Sequence, residues 1–525
     1  MIKSIVSIAA MMMATTCIAD NTPAKGSHVT FDENARYSQI VIDSRLNDFY
    51  ANTTKSGFGV FDDKGNKITA ETSKKTTLDY VPGLVGKAVI EAVDYYKDNK
   101  DVDVKPWFYA VQHYGLKYDI TSNGKAGKSF DDLNAVKLYF TLKDLAQKGT
   151  FADGAIYSNA ATVETADKRF ADALGGIKIS DEKYAIKKST LAIAEGGWWH
   201  KSGYVNQMWC DGQYMGPALL AQMNNCGYCL NATGSDWDMI TRQFTISWNM
   251  LWDADNELLW HAFTADPLDD ASKAWAGISK ESGKEVYHSA EYWGRAAGWY
   301  FLALVDVLEQ MQIAGLSESE NYATLRGYLN KMAVGLEKRQ DKKGCWYQLL
   351  AHDGTFYADT YKGKSYSKTY NYLESSATAI FIAAYLKGMR LGLYDKDFTD
   401  VAKKGYKGFV EQFMIADGNG GVHLVNCCRS AGLGGNDGRD GSAAYYLLGP
   451  DVSRTTDVTE GKVLGAFILA ATEYERMKQS MTSTAFNMIQ KHDNSKALAF
   501  NLMGQPVYND SKGLVIENGK AVVRR

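Results

Sequence analysis

Helical periodicity governs this chain from about residue 35 to 480, and it limits the fold more than any other feature. Val85, Val89, Ile90 and Val93 fall on one stripe at helical spacing. Comparable stripes run through 134–145, 298–311, 325–336, 376–393, 400–413 and 464–477. Glycine clusters separate them, as at Asp417-Gly-Asn-Gly-Gly421 and Ala431-Gly-Leu-Gly-Gly435. There is no sustained heptad and no alternation of strand with helix, which removes coiled coils and doubly wound α/β folds. No residue motif recurs at a fixed period, which disfavours a standard solenoid. The expected fold is all-α: a closed toroid of helical hairpins.

Charge and termini narrow the function. Lys plus Arg number 58 against 61 for Asp plus Glu, a net charge of -3, so there is no basic stripe for nucleic acid and no polybasic membrane face. Lys3, the apolar run Ile5 to Ala19 and the small residue closing Cys17-Ile18-Ala19 make the pattern of a secretory signal over residues 1–19. That run is too short to span a bilayer, and no later apolar run is long enough. The protein is therefore expected to be exported, to a periplasm or a cell surface. A lipoprotein anchored through Cys17 is disfavoured because Thr15-Thr16 precede it. Residues 20–480 are expected to form the catalytic body and 486–525 a small β tail, in which Asn518-Gly519 sits between two short apolar runs as a hairpin turn.

Beyond Cys17 the cysteines are Cys210, Cys226, Cys229, Cys345, Cys427 and Cys428. They are too sparse for a disulfide scaffold, and structural thiols or one local bridge are expected. Cys226-Gly-Tyr-Cys229 has the spacing of half a zinc site, but no second pair stands near it. No metal is expected.

Three segments carry candidate chemistry. In Gln207-Met-Trp209-Cys-Asp211-Gly, a carboxylate sits among aromatics just before an apolar helix. A partly dry setting raises a carboxyl pKa and supplies a general acid, although a helix N-cap is an equal reading of Asp211. Asp131-Asp132 open another apolar helix. They read either as a second catalytic carboxylate or as a cap with a dipole partner. In Trp293-Gly-Arg295-Ala-Ala-Gly-Trp299, Arg295 and Trp299 share a helical face, a pairing suited to clamping a carboxylate while the indole covers a ring. A structural Arg–Trp stack is the competing reading. His200 and His261 are polar residues in apolar surroundings.

Taken together, Tyr80-Val-Pro-Gly, Asp131-Asp-Leu-Asn, Glu195-Gly-Gly-Trp-Trp-His-Lys, Tyr204-Val-Asn-Gln-Met-Trp-Cys-Asp-Gly, Trp260-His-Ala, Tyr292-Trp-Gly-Arg and Asn371-Tyr-Leu-Glu-Ser-Ser-Ala resemble glycoside hydrolase families 105 and 88, the unsaturated uronyl hydrolases. The resemblance covers residues 79–476 and is nearer to family 105. It implies an (α/α)6 barrel and hydrolysis of the 4,5-unsaturated uronic acid that polysaccharide lyases leave at a non-reducing end. Unsaturated galacturonyl-rhamnose from rhamnogalacturonan is the expected oligosaccharide substrate, with a lyase acting upstream and no cofactor or metal. It further implies Asp211 as proton donor and water activator and Asp132 as second carboxylate, with its neighbour Asp131 open for that role. Trp209, Trp293 and Trp299 would line the sugar subsite, Arg295 would face the uronate, and His261, His200 and Gln207 would bind substrate. The Ala296-Ala297 pair departs from the commoner glycine-containing pattern and leaves the aglycone preference open. Alternatives are an unsaturated glucuronyl hydrolase, a conventional glycosidase on the same barrel, and a non-catalytic glycan-binding protein.

Overall fold

The computed structural model describes residues 25–52, 80–108, 110–111, 129–138, 185–279, 282–435 and 438–493, with strand residues 499–500, 506–507, 513–517 and 520–524. The expected leader at 1–19, including Cys17, lies outside the described residues. Two compact units divide the chain, Met1–Thr472 and Glu473–Arg525.

The described helices of the chain are α1 (Tyr37–Asn52), α2 (Tyr80–Tyr96), α3 (Phe130–Asn134), α4 (Cys210–Met215), α5 (Pro217–Asn225), α6 (Trp237–Leu251), α7 (Gly294–Ile313), α8 (Glu320–Lys338), α9 (Ser375–Arg390), α10 (Thr399–Phe413), α11 (Ala443–Leu448) and α12 (Gly461–Asp493). Burial sorts them into two rings. In α7 every residue from Gly294 to Leu308 is buried, and in α9 every residue from Ser375 to Gly388. Helices buried all round form the inner wall. By contrast, α8 buries Tyr322, Leu325, Leu329, Met332, Ala333 and Leu336, a one-sided stripe with a 3–4 residue period, and α6 and α10 are buried on one side in the same way. Such helices have one dry face and one wet face, and they form the outer ring.

Neighbour relations set the order of the helices. Helix α7 packs on α4, α5, α8 and α9; α9 packs on α10, α6 on α5 and α8, and α3 on α2 and α4. Gly83 permits the tightest of these approaches, since a Cβ there would sit 2.4 Å from the Ala135 Cα. Only glycine lets α2 approach the turn after α3 so closely.

The inner helices also carry charge deep in the core. Lys387 Nζ donates to Asp306 Oδ1 at 2.6 Å and lies 2.7 Å from Glu309, while Lys87 Nζ lies 3.7 Å from Asp306 and 2.5 Å from Glu91. Asp306 is roughly 18 Å further along α7 than Gly294 at 1.5 Å of rise per residue. Lys137 Nζ donates to the Tyr214 carbonyl at 2.6 Å, beside the break that Gly216 and Pro217 impose between α4 and α5. Burial pulls the Lys137 ammonium well below its ordinary pKa.

Strands in the first unit are short antiparallel pairs in the loops. The pair that matters for the site joins 207–209 to 262–264, in the register Gln207↔Thr264, Met208↔Phe263 and Trp209↔Ala262. The longest hairpin joins Tyr357–Tyr361 to Lys364–Tyr370. In the second unit the strands Ala499–Phe500, Pro506–Val507, Gly513–Glu517 and Lys520–Arg524 form one antiparallel sheet. Helix α12 continues to Asp493, past the expected end near 480, so these strands begin later than 486. Cys210, Cys229, Cys345, Cys427 and Cys428 are free thiols, so none of these five forms the local bridge allowed by the sequence.

Candidate active site

The N-terminal ends of α3, α4, α7 and α9 carry the polar groups of the site. Helix α4 begins directly after strand 207–209, and Cys210 N donates to the His261 carbonyl at 3.0 Å, which ties the start of the helix to His261. The N-cap is Trp209, with no side-chain cap bond. Asp211 therefore stands in the first turn and is not the cap. Its Oδ2 is buried without a hydrogen-bond partner among the described residues, and His261 Nε2 stands 3.4 Å from it. On its other side His261 Nδ1 lies 2.6 Å from the Tyr446 hydroxyl, which α11 supplies.

Helix α3 is capped by Ser129, whose Oγ accepts from Asp131 N at 3.2 Å. This leaves the Asp131 side chain available for other contacts. His200 Nε2 lies 2.7 Å from Asp131 Oδ1, and the Lys201 ammonium pairs with Oδ2. The two acids are thus linked through backbone as well, since Phe130 N donates to the His200 carbonyl and His200 N to the Gln207 carbonyl. The side chain of Asp132, the expected second carboxylate, lies outside the described residues.

Electrostatics correct one expectation. Burial pushes the Asp211 carboxyl up, as the sequence suggested, and Asp131 pushes the same way; the contact with His261 and the field of His200 outweigh both and leave its pKa below the ordinary value. Burial also opposes ionisation of Asp131, but His200 and Lys201 hold it well below the usual carboxylate range. Burial keeps His261 below its own ordinary value, so the ring is neutral near pH 7.

The expected substrate-binding residues fall into different places. Gln207 is fully buried: its Nε2 donates to Ser272 at 3.1 Å and its Oε1 accepts from Trp209 Nε1 at 3.0 Å, so it orients the indole and is not exposed to a ligand. Trp209 stacks on Tyr204 with centroids 4.7 Å apart and planes 4° from parallel, and His200 and His261 stand edge-on to it. Trp293 donates to Gln348 Oε1 at 3.1 Å and lies beside His261 and Tyr446.

Arg295 and Trp299 do not form the anticipated carboxylate clamp. The Arg295 guanidinium lies 4.5 Å over Trp293 instead, is 2% exposed, donates to the Cys428 carbonyl and to Ser376 Oγ, and stands 4.0 Å from Glu374. Trp299 is stacked on Tyr214 inside the inner wall. The four-residue spacing did put both on one face, but that face is turned into the core, where the guanidinium meets a carbonyl already waiting for a donor.

Tyr446, Tyr204 and Lys201 belong to the site although sequence reasoning gave them no role. Lys201 adjoins His200 in a motif already singled out, so its signal was present. Tyr446 lies 185 positions from His261 and has no local signature. Among the described residues, no group of three or more His, Cys, Asp or Glu side chains is arranged to hold a metal ion, and no helix is long and apolar enough to cross a membrane.

Asp131 and Asp211, at the starts of the packed helices α3 and α4, each stand beside a histidine, with Trp209 edge-on to both rings; such a pair of acids in a barrel of helices suits glycan cleavage. Comparison with known proteins gives the family. The profile of Glycosyl Hydrolase Family 88 matches residues 60–478, and the chain belongs to that family. A solved glycoside hydrolase of family 105 from C. acetobutylicum ATCC 824 is 27% identical, with a TM-score of 0.58 over 84% of this chain and 100% of that one. A possible member of family 105 from Salmonella enterica serovar Paratyphi A shares the fold, at 19% identity and TM-score 0.55 over 86% and 97% of the two chains. The 24.9 kDa protein in the picA locus of Rhizobium radiobacter is 31% identical over 211 residues, 39% of this chain and 78% of that protein. The protein is a glycoside hydrolase.

Proposed function

We propose that this hydrolase removes a 4,5-unsaturated uronic acid from the non-reducing end of oligosaccharides released by a polysaccharide lyase, with unsaturated galacturonyl-rhamnose from rhamnogalacturonan as the substrate. The leader pattern at 1–19 supports export to the compartment where such oligosaccharides arise. The observation that carries the reading is the Asp211 carboxylate, with one oxygen unpartnered and a histidine 3.4 Å away.

In this scheme Asp211 delivers its proton to C4 of the vinyl ether, and positive charge develops at C5 and the ring oxygen. Asp131, held ionised by His200 and Lys201, stabilises that charge. Water then adds at C5 and gives its proton to the Asp211 carboxylate, which restores the acid. The C5 hemiketal opens to a ketone, and the C1 hemiacetal left behind breaks to an aldehyde and the free aglycone alcohol.

The low pKa of Asp211 in the free enzyme fits this sequence. A bound uronate adds negative charge and excludes water, and both effects favour the protonated acid. Protonation is thereby coupled to substrate binding, and afterwards the ionised form is a competent base. Tyr446 assists both states, because its hydroxyl can accept from or donate to His261 Nδ1 as the other ring nitrogen takes or gives a proton. Incubation with lyase-digested rhamnogalacturonan tests the reading: ultraviolet absorbance of the conjugated double bond falls as rhamnose-ended product appears. Persistence of that absorbance, with turnover of aryl glycosides of saturated sugars, would assign a conventional glycosidase instead.

A further inference from the structure

We propose that the hairpin 357–370 is a binding arm for the part of an acidic oligosaccharide that extends beyond the hydrolysed sugar. This rests on the reading above and adds an extended, charge-selective subsite to it.

The second strand of the hairpin has no packing reason to carry its side chains. Lys364 to Tyr370 is exposed at every position but Thr369, so both faces of that strand meet water. The first strand rests on α11 through the buried Tyr361, so the exposed residues of the second are not there for a core. Lys362 at φ 49° and Gly363 at φ 72° form the tight turn that suits the strand twist.

The side chains are sorted. Paired ends place Lys364 and Tyr370 on one face and Ser365 and Thr369 on the other; between them the register shifts opposite Asp359, and the bulged residues 366–368 carry Tyr366 and Lys368. Cross-strand register adds Tyr357, opposite Tyr370, and Tyr361, opposite Lys364, to the first face. Lys368 Nζ lies 4.3 Å over the Tyr357 ring. Tyr357, Tyr366 and Tyr370 are 39%, 41% and 51% exposed, and they are the exposed aromatic side chains of the described residues. The hairpin carries Lys362, Lys364 and Lys368 against one acid, Asp359.

Its position continues the active site. Tyr361, at the turn end, packs on Tyr445 with centroids 6.1 Å apart, and Tyr445 adjoins Tyr446, the partner of His261. The Tyr361 and Tyr445 hydroxyls are both buried with no hydrogen-bond partner among the described residues. At the other end Asn371 N donates to the Phe356 carbonyl, and Phe356 stacks on His352, which lies 3.2 Å from Glu291 beside Tyr292 and Trp293. Buried rings thus join the hairpin to the wall that holds Tyr446, and the exposed rings and ammonium groups lie beyond them.

Alternating rings and cations match a chain of pyranoses bearing carboxylates. Tyrosine faces stack on the apolar faces of sugars, and each lysine meets a uronate. A neutral glycan would leave the lysines unused, and a nucleic acid is opposed by the net charge of -3.

Two double variants, Tyr366→Ala with Tyr370→Ala and Lys364→Ala with Lys368→Ala, test the arm against an unsaturated disaccharide and an unsaturated uronate-rich hexasaccharide. On the hexasaccharide kcat/KM falls roughly ten-fold, about 1.4 kcal/mol, through KM. On the disaccharide it stays unchanged, and the lysine effect fades as salt rises. Equal losses on both substrates, or no loss on either, overturn the proposal. Mobility in a gel containing polygalacturonate separates it from the catalytic reading. Wild-type enzyme that is retarded more than both variants, yet hydrolyses neither substrate, sustains the arm and refutes the activity. Equal mobility of all three refutes the arm.

Discussion

His261 places its Nε2 3.4 Å from Asp211 Oδ2 while a 2.6 Å contact with Tyr446 fixes its other nitrogen. The residue expected to touch substrate therefore acts on the acid itself. Removing it leaves burial, and the like charge of Asp131, less opposed, so the Asp211 pKa rises. In the proposed scheme a protonated Asp211 is the active form, and raising its pKa carries that form to higher pH. His261→Gln is expected to lower turnover and to move the alkaline limb of the kcat/KM profile upward in pH. An unmoved limb would show that His261 does not set the acid.

Asp131 is expected to matter for both rate and stability. Under the proposed scheme Asp131→Asn lowers turnover on the order of 10²-fold, because the developing cation loses its fixed counter-charge. It also costs about 1–3 kcal/mol, since His200 and Lys201 lose an ionised partner. The folded pKa is depressed, so this contribution is present above the unfolded value of about 3.9 and is lost as pH falls through the lower folded value. Acid titration of the variant, followed by circular dichroism, should show a shallower loss of stability below about pH 4 than the wild type.

The Asp306 cluster makes the opposite prediction. Lys387 and Lys87 hold Asp306 in its charged form against burial. Asp306→Asn leaves these buried ammonium groups without their central counter-charge, at a cost of about 3–5 kcal/mol in chemical denaturation. Because Asp306 has no contact with Asp211 or His261 and lies roughly 18 Å along α7 from Gly294, the pH dependence of turnover in the surviving folded enzyme should match the wild type. A shifted pH profile would show that this cluster communicates with Asp211.

Much of the fold was legible because a barrel of hairpins writes its period into each helix. The stripe at Val85, Val89, Ile90 and Val93 lies within α2, and the run 298–311 lies within α7. The hairpin 357–370 went unread, although Lys364-Ser-Tyr-Ser-Lys-Thr-Tyr370 alternates with period 2; its alternation is polar against polar and leaves no apolar signal. Site residues were legible as types and less so as roles. Asp211 stood out through its aromatic setting, but the contact with His261 and the field of His200 cannot be read from neighbours in sequence. Arg295 looked like a clamp because spacing gives a face and not the direction in which that face points. Tyr446 was invisible because its partner, His261, comes from a distant part of the chain.

The most direct measurement is turnover by Asp211→Asn on an unsaturated galacturonyl-rhamnose disaccharide, followed by ultraviolet absorbance with folding checked by circular dichroism. Asparagine keeps the shape of the side chain and removes the proton that C4 must receive. The account predicts a folded protein slower by about 10²–10⁴-fold. A folded variant that clears the double bond at close to the wild-type rate would contradict it.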